Sequence, residues 1–504
     1  MPETTTIGVR VTEAVLPQHD PLDLYVRLRD VLPEQDVFLF ESRAGAEEDR
    51  RSAVVGFGRL AEIRVFDGHI EVDGAPAVVR ALAEAAEGAG LTADRTAGEG
   101  ARRLRFAAPD QLWQALAATR SVFTVESSVP TTAYAFGFLT SLAYESAWLM
   151  ESLPARTAEL QVPDMTLTLF QETVRYDLAV GSAHRLRAES PAFPDTAAGV
   201  DVVMLAAEAA RPVPSGVRPA VPRAPEPVSV HDSVSRETFL GWAEQCLEHI
   251  GVGDIYQIQI GHRIDVRSAL TPLEVYRRLR HRNPSPYMFL MPRAGSTLIG
   301  ASPELFFRIE GDEIVMRPIA GTARRGPDEE ENQRRIKEMQ ESTKERAEHI
   351  MLVDLCRNDI GRLARPSTQP VDRLMAVEGF SHVFHLVSTV SGRLEEGVDP
   401  WQAMRATFPA GTMTGAPKVR AMEIIDELEV ERRGSYAGAV GLVDVRGWSE
   451  LALCIRTVEY DGQKYSTQSS AGIVAQSEPE AEWRETLAKM GAAYWALTGE
   501  ELQP

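Results

Sequence analysis

The sequence predicts an α+β fold in which large antiparallel sheets are backed by helices. Three observations carry that expectation. β-Branched runs joined by short turn signals recur, as in AEIRVFDGHIEV and VEYDGQKYSTQ, where strand, Asp-Gly and strand read as hairpins. Amphipathic helical stretches alternate with those strands, which gives each sheet a face to cover. The chain has 504 residues, too many for one ordinary core, so two domains or one large fold are expected.

Before residue 211, PLDLYVRLRDVL and PAVVRALAEAAEGAG read as helices, and SAVVGFG and DMTLTLFQETVRYDLAV as strands. Residues 211–229, RPVPSGVRPAVPRAPEPVS, are Pro-rich with little apolar periodicity and read as an extended connection. It divides an N-terminal region (1–210) from a second domain (230–504). There DIYQIQIGHRIDV, GSTLIGASPELFFRIEGDEIVMRPI and LALCIRTVEYDGQKYSTQSSAGIVA read as strands between amphipathic helices. No internal repeat is visible.

A net charge of −20 argues against nucleic acid, where a basic face is expected. It leaves room for a small anionic ligand held by local basic groups. Hydrophobic content of 44% with 25% charged residues is that of a soluble globular protein. No apolar run approaches a membrane span, and MPETTTIGVR lacks an apolar signal core. Cys246, Cys356 and Cys454 show no paired spacing, so neither a disulfide framework nor a zinc site is expected, and a reducing cytoplasm fits.

Two pairs of carboxylates stand out. Glu345 and Glu348, and Glu482 and Glu485, are each three apart in helix-forming segments, QESTKERAEHIMLVDL and PEAEWRETLAKMGAAYWAL. From spacing alone the ordinary reading is two solvated helix faces. If the helices face one another, four carboxylates converge and need a cation, and oxygen-only ligands suit Mg2+.

Four further segments carry candidate chemistry. The run Pro409–Lys418, with Gly411 and Thr412, precedes the helix KVRAMEIIDELE and offers backbone N–H groups to an anion, or is a plain loop-to-helix junction. Ser469, Ser470, Ala471 and Gly472 read as a tight turn after a strand, and Pro318–Thr322 as a turn ending one. Arg456 lies inside the apolar strand LALCIRTVEY; if buried it needs an anion, and a carboxylate matches its fork.

On these residues the second half resembles the chorismate-utilising enzymes, and most closely the large (synthase) subunit of anthranilate synthase. The matching segments are GDIYQIQI (253–260), NPSPYMFLM (283–291), GASPELF (300–306), RPIAGT (317–322), ERAEHIMLVDLCRND (345–359) and SHVFHLVSTVSGRL (381–394). FPAGTMTGAPKVRAMEIIDELE (408–429), RRGSYAGAVG (432–441), CIRT (454–457) and AGIVAQSEPEAEWRET (471–486) follow in order. The first half resembles that family only through FLFES (38–42) and RRSAVVGFG (50–58).

The resemblance implies a chorismate-binding fold and a set of roles. Glu348 and Glu485 are similar to direct Mg2+ ligands, with Glu345 and Glu482 supporting them, the ion holding the ring carboxylate of chorismate. Thr412, the Ser470–Gly472 segment and Lys489 resemble groups around that carboxylate. Tyr436 and Arg456 resemble the pair binding the enolpyruvyl carboxylate, Glu304 the general acid for the departing C4 hydroxyl, and His385 the histidine of pyruvate elimination. Glu304 then needs a raised pKa, which neighbouring carboxylates can supply.

Two positions distinguish relatives. Water-adding members carry a lysine base where this chain has Gln257, and members aminating C4 carry a lysine where it has Ala320, which can form no adduct. Both imply ammonia attack at C2 with loss of the C4 hydroxyl, giving 2-amino-2-deoxyisochorismate and, after pyruvate loss, anthranilate. The alternatives are a specialised natural-product enzyme that stops at the aminated intermediate, an isochorismate- or salicylate-type synthase using water, and a silent scaffold paralogue. None of the cysteines lies in a Gly-flanked nucleophile turn, so nitrogen is expected from free ammonia or a separate glutamine amidotransferase subunit, in a heterotetramer or beside a homo-oligomer. Departures from the pattern favour a specialised branch: Ser470 replaces a glycine, and Gln476 stands where aspartate is common. Glu41, Ser42 and the run from Asn283 and Pro284 through Tyr287 and Met288 resemble a tryptophan inhibitor site, although Asn-Pro-Ser-Pro is also an ordinary turn before a strand.

Overall fold

The computed structural model describes residues 5–46, 48–94, 102–154, 162–211, 221–366, 371–380 and 383–503. Residues 212–220 of the expected connection, and Ser381 and His382 of the SHVFHLVS segment, lie outside them.

Alternating side chains in the strands face two different surroundings, and that alternation builds the layers. In strand Val37–Glu41, Val37 and Leu39 join one helix-covered cluster while Phe38 packs with Phe170, Phe289 and Leu298. In strand Ala439–Asp444, Ala439 and Val443 join a second helix-covered cluster while Val440 and Leu442 meet Phe38 and Phe289. The Phe38 cluster is therefore a filling between two sheets, with helices outside each. Such strands are buried on both faces, which explains why SAVVGFG and LTLF read as nearly continuous apolar runs.

Two long strands, Ser52–Phe66 and Met165–Asp177, pair antiparallel from end to end and belong to both sheets. One sheet runs through Val37–Glu41, Tyr287–Arg293, Ser296–Ser302, Thr457–Tyr460, Tyr465–Ile473 and Gln257–Arg267. The other runs through Gly137–Leu142, Ala439–Asp444, Ser449–Leu453, Leu305–Glu310, Glu313–Met316 and Val383–Arg393. Strands from before and after residue 211 thus pair directly, Phe40 with Phe289 and Leu139 with Leu442. All these pairings are antiparallel, as expected; the strand Ile7–Leu16 also pairs in parallel with Phe123–Ser127.

The helices begin where sequence chemistry allows. Thr271 and Glu274 form a reciprocal cap for Pro272–Arg282, as Asp399 and Gln402 do for Pro400–Thr407. QESTKERAEHIMLVDL, read as one helix, is two. Glu329–Glu341 ends at Ser342, whose side chain accepts from the Glu345 N–H and starts Thr343–Gly361. A serine that satisfies free donors favours a new start over helix continuation.

Three local readings are corrected. Ser469–Gly472 is not a turn: it lies within strand Tyr465–Ile473, with Ser470 opposite Gly261. Arg456 is not inside a strand but at the kink between Ser449–Leu453 and Thr457–Tyr460, with φ 51°. Likewise 319–324 is itself a strand, bulged between Ala320 and Thr322, with Gly321 at φ 74°.

Candidate active site

The carboxylate pairs come from helix Thr343–Gly361, which packs on strands Ile319–Arg324 and Val383–Arg393, and from helix Pro479–Thr498, which packs on Tyr465–Ile473. Glu345, Glu348 and Glu485 share one electrostatic neighbourhood. Burial, followed by Glu345 and Glu485, pushes the Glu348 carboxyl up to about 7. Burial, and Glu485 after it, also raises Glu345, and burial is the main cause raising Glu482. At Glu485 the upward push of burial is outweighed by Lys489, whose Nζ stands 2.7 Å from the carboxylate, and the net shift is downward. Among the described residues no three acidic, His or Cys side chains form a ready metal cluster. The site is two opposed acidic faces with a lysine between them, rather than a closed all-acidic cage.

The floor is Gly472. A Cβ there would stand 2.9 Å from Gln259 Nε2, 3.0 Å from Gln257 Nε2 and 3.6 Å from Glu348 Oε1, so only glycine leaves these groups together. Gly321 plays the same part opposite, where a Cβ would stand 3.2 Å from Glu345 Oε2. Gln257 is buried, its Nε2 3.5 Å from Glu348 Oε1 and its Oε1 without a partner. Mutually repelling carboxylates and an open oxygen acceptor are a donor set that fits a hard divalent cation.

Glu304 sits in the Ser-Pro-Glu junction between strands Ser296–Ser302 and Leu305–Glu310, 6% exposed. Burial pushes its carboxyl up to about 8, so it is a protonated acid at neutral pH. The cause is desolvation and not neighbouring carboxylates; Lys489 and Thr412 act in the opposite direction. The Thr412 hydroxyl itself has no formed hydrogen bond. It belongs to the short 3-10 turn Gly411–Met413, which packs so closely that a Cβ at Gly411 would stand 2.7 Å from the Leu355 side chain.

His385, in strand Val383–Arg393, lies 2.9 Å from the Gly321 carbonyl through Nδ1. A carbonyl only accepts, so Nδ1 carries the proton and Nε2 keeps its lone pair. Burial lowers the imidazole to about 4, making it a neutral base. The Gly321 bulge therefore sets this tautomer, which strand periodicity could not reveal. Ala320 beside it is buried and brings no reactive group.

Arg456 donates to the Lys489 carbonyl at 2.5 Å and has no carboxylate within ion-pair distance among the described residues. A half-buried guanidinium without a counter-ion, on a left-handed backbone, is poised for an anion. Lys489 Nζ donates to the Ser470 carbonyl at 2.9 Å, and Ser470, Ala471 and Gly472 line the strand beneath. His385, Arg456 and Lys489 open onto a cavity of about 520 Å3, also lined by Asn283, Pro284 and Arg324. Sequence reasoning passed over Arg324, whose only signal was a basic pair following the RPIAGT run, and Gln259, two residues beyond Gln257 on the same strand face.

The expected inhibitor residues are divided. Asn283 and Pro284 border the large cavity, while Ser42, Tyr287 and Met288 border a small one of about 40 Å3 together with Trp448. Glu41 is held there by Arg280 and the Tyr276 hydroxyl, each at 2.6 Å. The three cysteines are free and buried. No described helix is long and apolar enough to cross a membrane.

A two-sheet fold with an acid, a neutral imidazole, opposed acidic faces and an arginine without an ion-pair partner beside a lysine defines an enzyme that binds a small polyanion. The chain belongs to the chorismate-binding enzyme family, whose model matches residues 80–494. It is 47% identical over 498 residues to 2-amino-4-deoxychorismate synthase of Streptomyces globisporus, 98% of each chain. It is 51% identical over 251 residues to anthranilate synthase component 1 of Streptomyces coelicolor, about half of each. In structure it is similar to anthranilate synthase component I from Streptococcus pneumoniae (TM-score 0.68, 28% identity, 88% of this chain and 92% of that one). It also shares the fold of the menaquinone-specific isochorismate synthase from Escherichia coli (TM-score 0.65, 17% identity, 98% and 95%).

Proposed function

We propose that this enzyme aminates chorismate at C2 with loss of the C4 oxygen and releases the aminated diene, 2-amino-2-deoxyisochorismate. The observation carrying the reading is the similarity to the Streptomyces globisporus enzyme over 98% of the chain; that name places an amino group at C2 and removes the oxygen at C4. Ammonia and chorismate give the amine and water. Arg456 and Lys489 hold carboxylate groups, and the unpartnered Gln257 Oε1 accepts an N–H of the incoming ammonia. Glu304 donates its proton to the C4 hydroxyl, which departs as water. Gln257 cannot deprotonate water, which opposes the water-using alternative.

Mg2+ is the cofactor that the donor set fits: Glu348 and Glu485 would hold it, with Glu345 and Glu482 supporting them. When bound it supplies positive charge for the ring carboxylate and offsets the repulsion between the glutamates. Ion and substrate are therefore expected to bind interdependently. Nitrogen comes from a separate glutamine amidotransferase subunit or from free ammonia, in the cytoplasm, within a specialised biosynthetic pathway.

A second reading, in which pyruvate is also eliminated to give anthranilate, is favoured by the neutral His385 Nε2, a base available to complete aromatisation. Chromatography with mass detection on protein, chorismate, Mg2+ and excess ammonium near neutral pH, where Glu304 keeps its proton, separates the two. The aminated diene without pyruvate supports the first reading, anthranilate plus pyruvate the second, and untouched chorismate removes both.

A further inference from the structure

Ser470 stands on the floor of the site with its hydroxyl out of reach of solvent, the residue being 1% exposed. The side chain is not offered to substrate as a donor, because its one proton and one of its lone pairs are already engaged inside the protein. Its Oγ lies 2.9 Å from Gln259 Oε1 and 2.6 Å from the Tyr436 hydroxyl oxygen. Gln259 and Tyr436 are themselves buried, so the three oxygens form a closed chain.

The protons in this chain have only one satisfactory arrangement. An amide oxygen accepts and never donates, so the Ser470 proton goes to Gln259. A serine has one proton, so the contact to Tyr436 must use the phenol's proton. Tyr436 is a neighbour of Arg456 and Lys489, the two cations of the anion-binding cleft. Its hydroxyl carries a single proton, which is already committed to Ser470.

We infer that Ser470 is a positioning and specificity residue: it ties up the Tyr436 proton and converts the phenol from a hydrogen-bond donor into an acceptor beside the cleft. Anchoring of substrate carboxylate then falls to Arg456 and Lys489, and the phenol offers lone pairs to an N–H. This rests on the proposed function, since it concerns how a chorismate-type dianion is held. A residue without a side-chain hydroxyl at 470 leaves the phenol proton free for a carboxylate.

The test measures KM and kcat separately, with chorismate binding followed by calorimetry, in S470A, Q259M and S470A/Y436F. S470A removes the acceptor of the phenol proton. Q259M removes the acceptor of the serine proton, so Ser470 donates to Tyr436 and frees the phenol from a second position. Both variants are expected to lower KM and Kd for chorismate about tenfold, the value of one hydrogen bond to a charged group. S470A/Y436F is expected to lose that gain. A merely structural role for Ser470 predicts weaker binding or lower stability, not tighter binding. Unchanged or raised KM in both folded variants, or a gain that survives in S470A/Y436F, overturns the inference alone. A wild type that binds no chorismate overturns the functional reading and this inference with it.

Discussion

Glu304 shows how one residue's environment sets its chemistry. Its carboxyl titrates near 8 because charge is expensive where it sits, so as a general acid it works below that pH. Turnover is expected to fall as pH rises through about 8, and E304Q to lower kcat by about a hundred- to ten-thousand-fold without moving the fold. The sign for stability follows from the same shift. A carboxyl whose folded value is raised above its unfolded value costs stability as pH climbs between the two. E304Q is therefore expected to melt above the wild type at alkaline pH and level with it in acid, read by calorimetric scans. E348Q and E485Q are expected to abolish turnover while circular dichroism stays unchanged. These acidic pairs, the Ser-Pro-Glu acid and His385 were legible as residues. Their protonation states were not, because burial and the Gly321 carbonyl come from distant segments.

Elements meet at single side chains, and Arg433 is the clearest case. Its guanidinium, 1% exposed, binds Glu429 after helix Lys418–Leu428, the Met413 carbonyl of the 3-10 turn and the Gln259 carbonyl of the strand. It also lies 4.7 Å over the Tyr144 ring from the first half of the chain. R433M leaves Glu429 buried without its partner and is expected to cost about 3–5 kcal/mol in urea unfolding. Element types were mostly readable from periodicity, since PEAEWRETLAKMGAAYWAL is the helix Pro479–Thr498 and VEYDGQKYSTQ contains the hairpin joining 457–460 to 465–473. The misread places were junctions. Ser342 splits a helix, Arg456 kinks a strand, and Ser469–Gly472 continues one despite its turn-like composition. At Ser342 a local cap ends the helix, while at Arg456 and Ser469–Gly472 tertiary hydrogen bonds outweigh local preference. The small cavity beside Ser42, Tyr287 and Met288 is also a matter of packing between strands. At about 40 Å3, with Trp448 in its wall, it has room for a few waters. Millimolar tryptophan is expected to produce no calorimetric heat.

At the scale of the molecule, the two halves share their sheets. The β-ladders of Val37–Glu41 with Tyr287–Arg293, and of Gly137–Leu142 with Ala439–Asp444, cross from one half to the other. A chain cut at a protease site inserted within residues 211–229 is expected to remain one particle by size-exclusion chromatography and to keep its chorismate turnover. Separation of the pieces without denaturant contradicts this. By itself the sequence determined the sheet-and-helix class, the two acidic helices, the acid and base candidates and the family, because those depend on residue type, local period and collinear motifs. Only the tertiary structure decided that the two apolar strand faces make three layers of core, that Lys489 sits among the glutamates, and that Ser470 is spent on Tyr436 and Gln259. Those outcomes depend on which distant segments come into contact, and desolvation and hydrogen-bond pairing act only once they have.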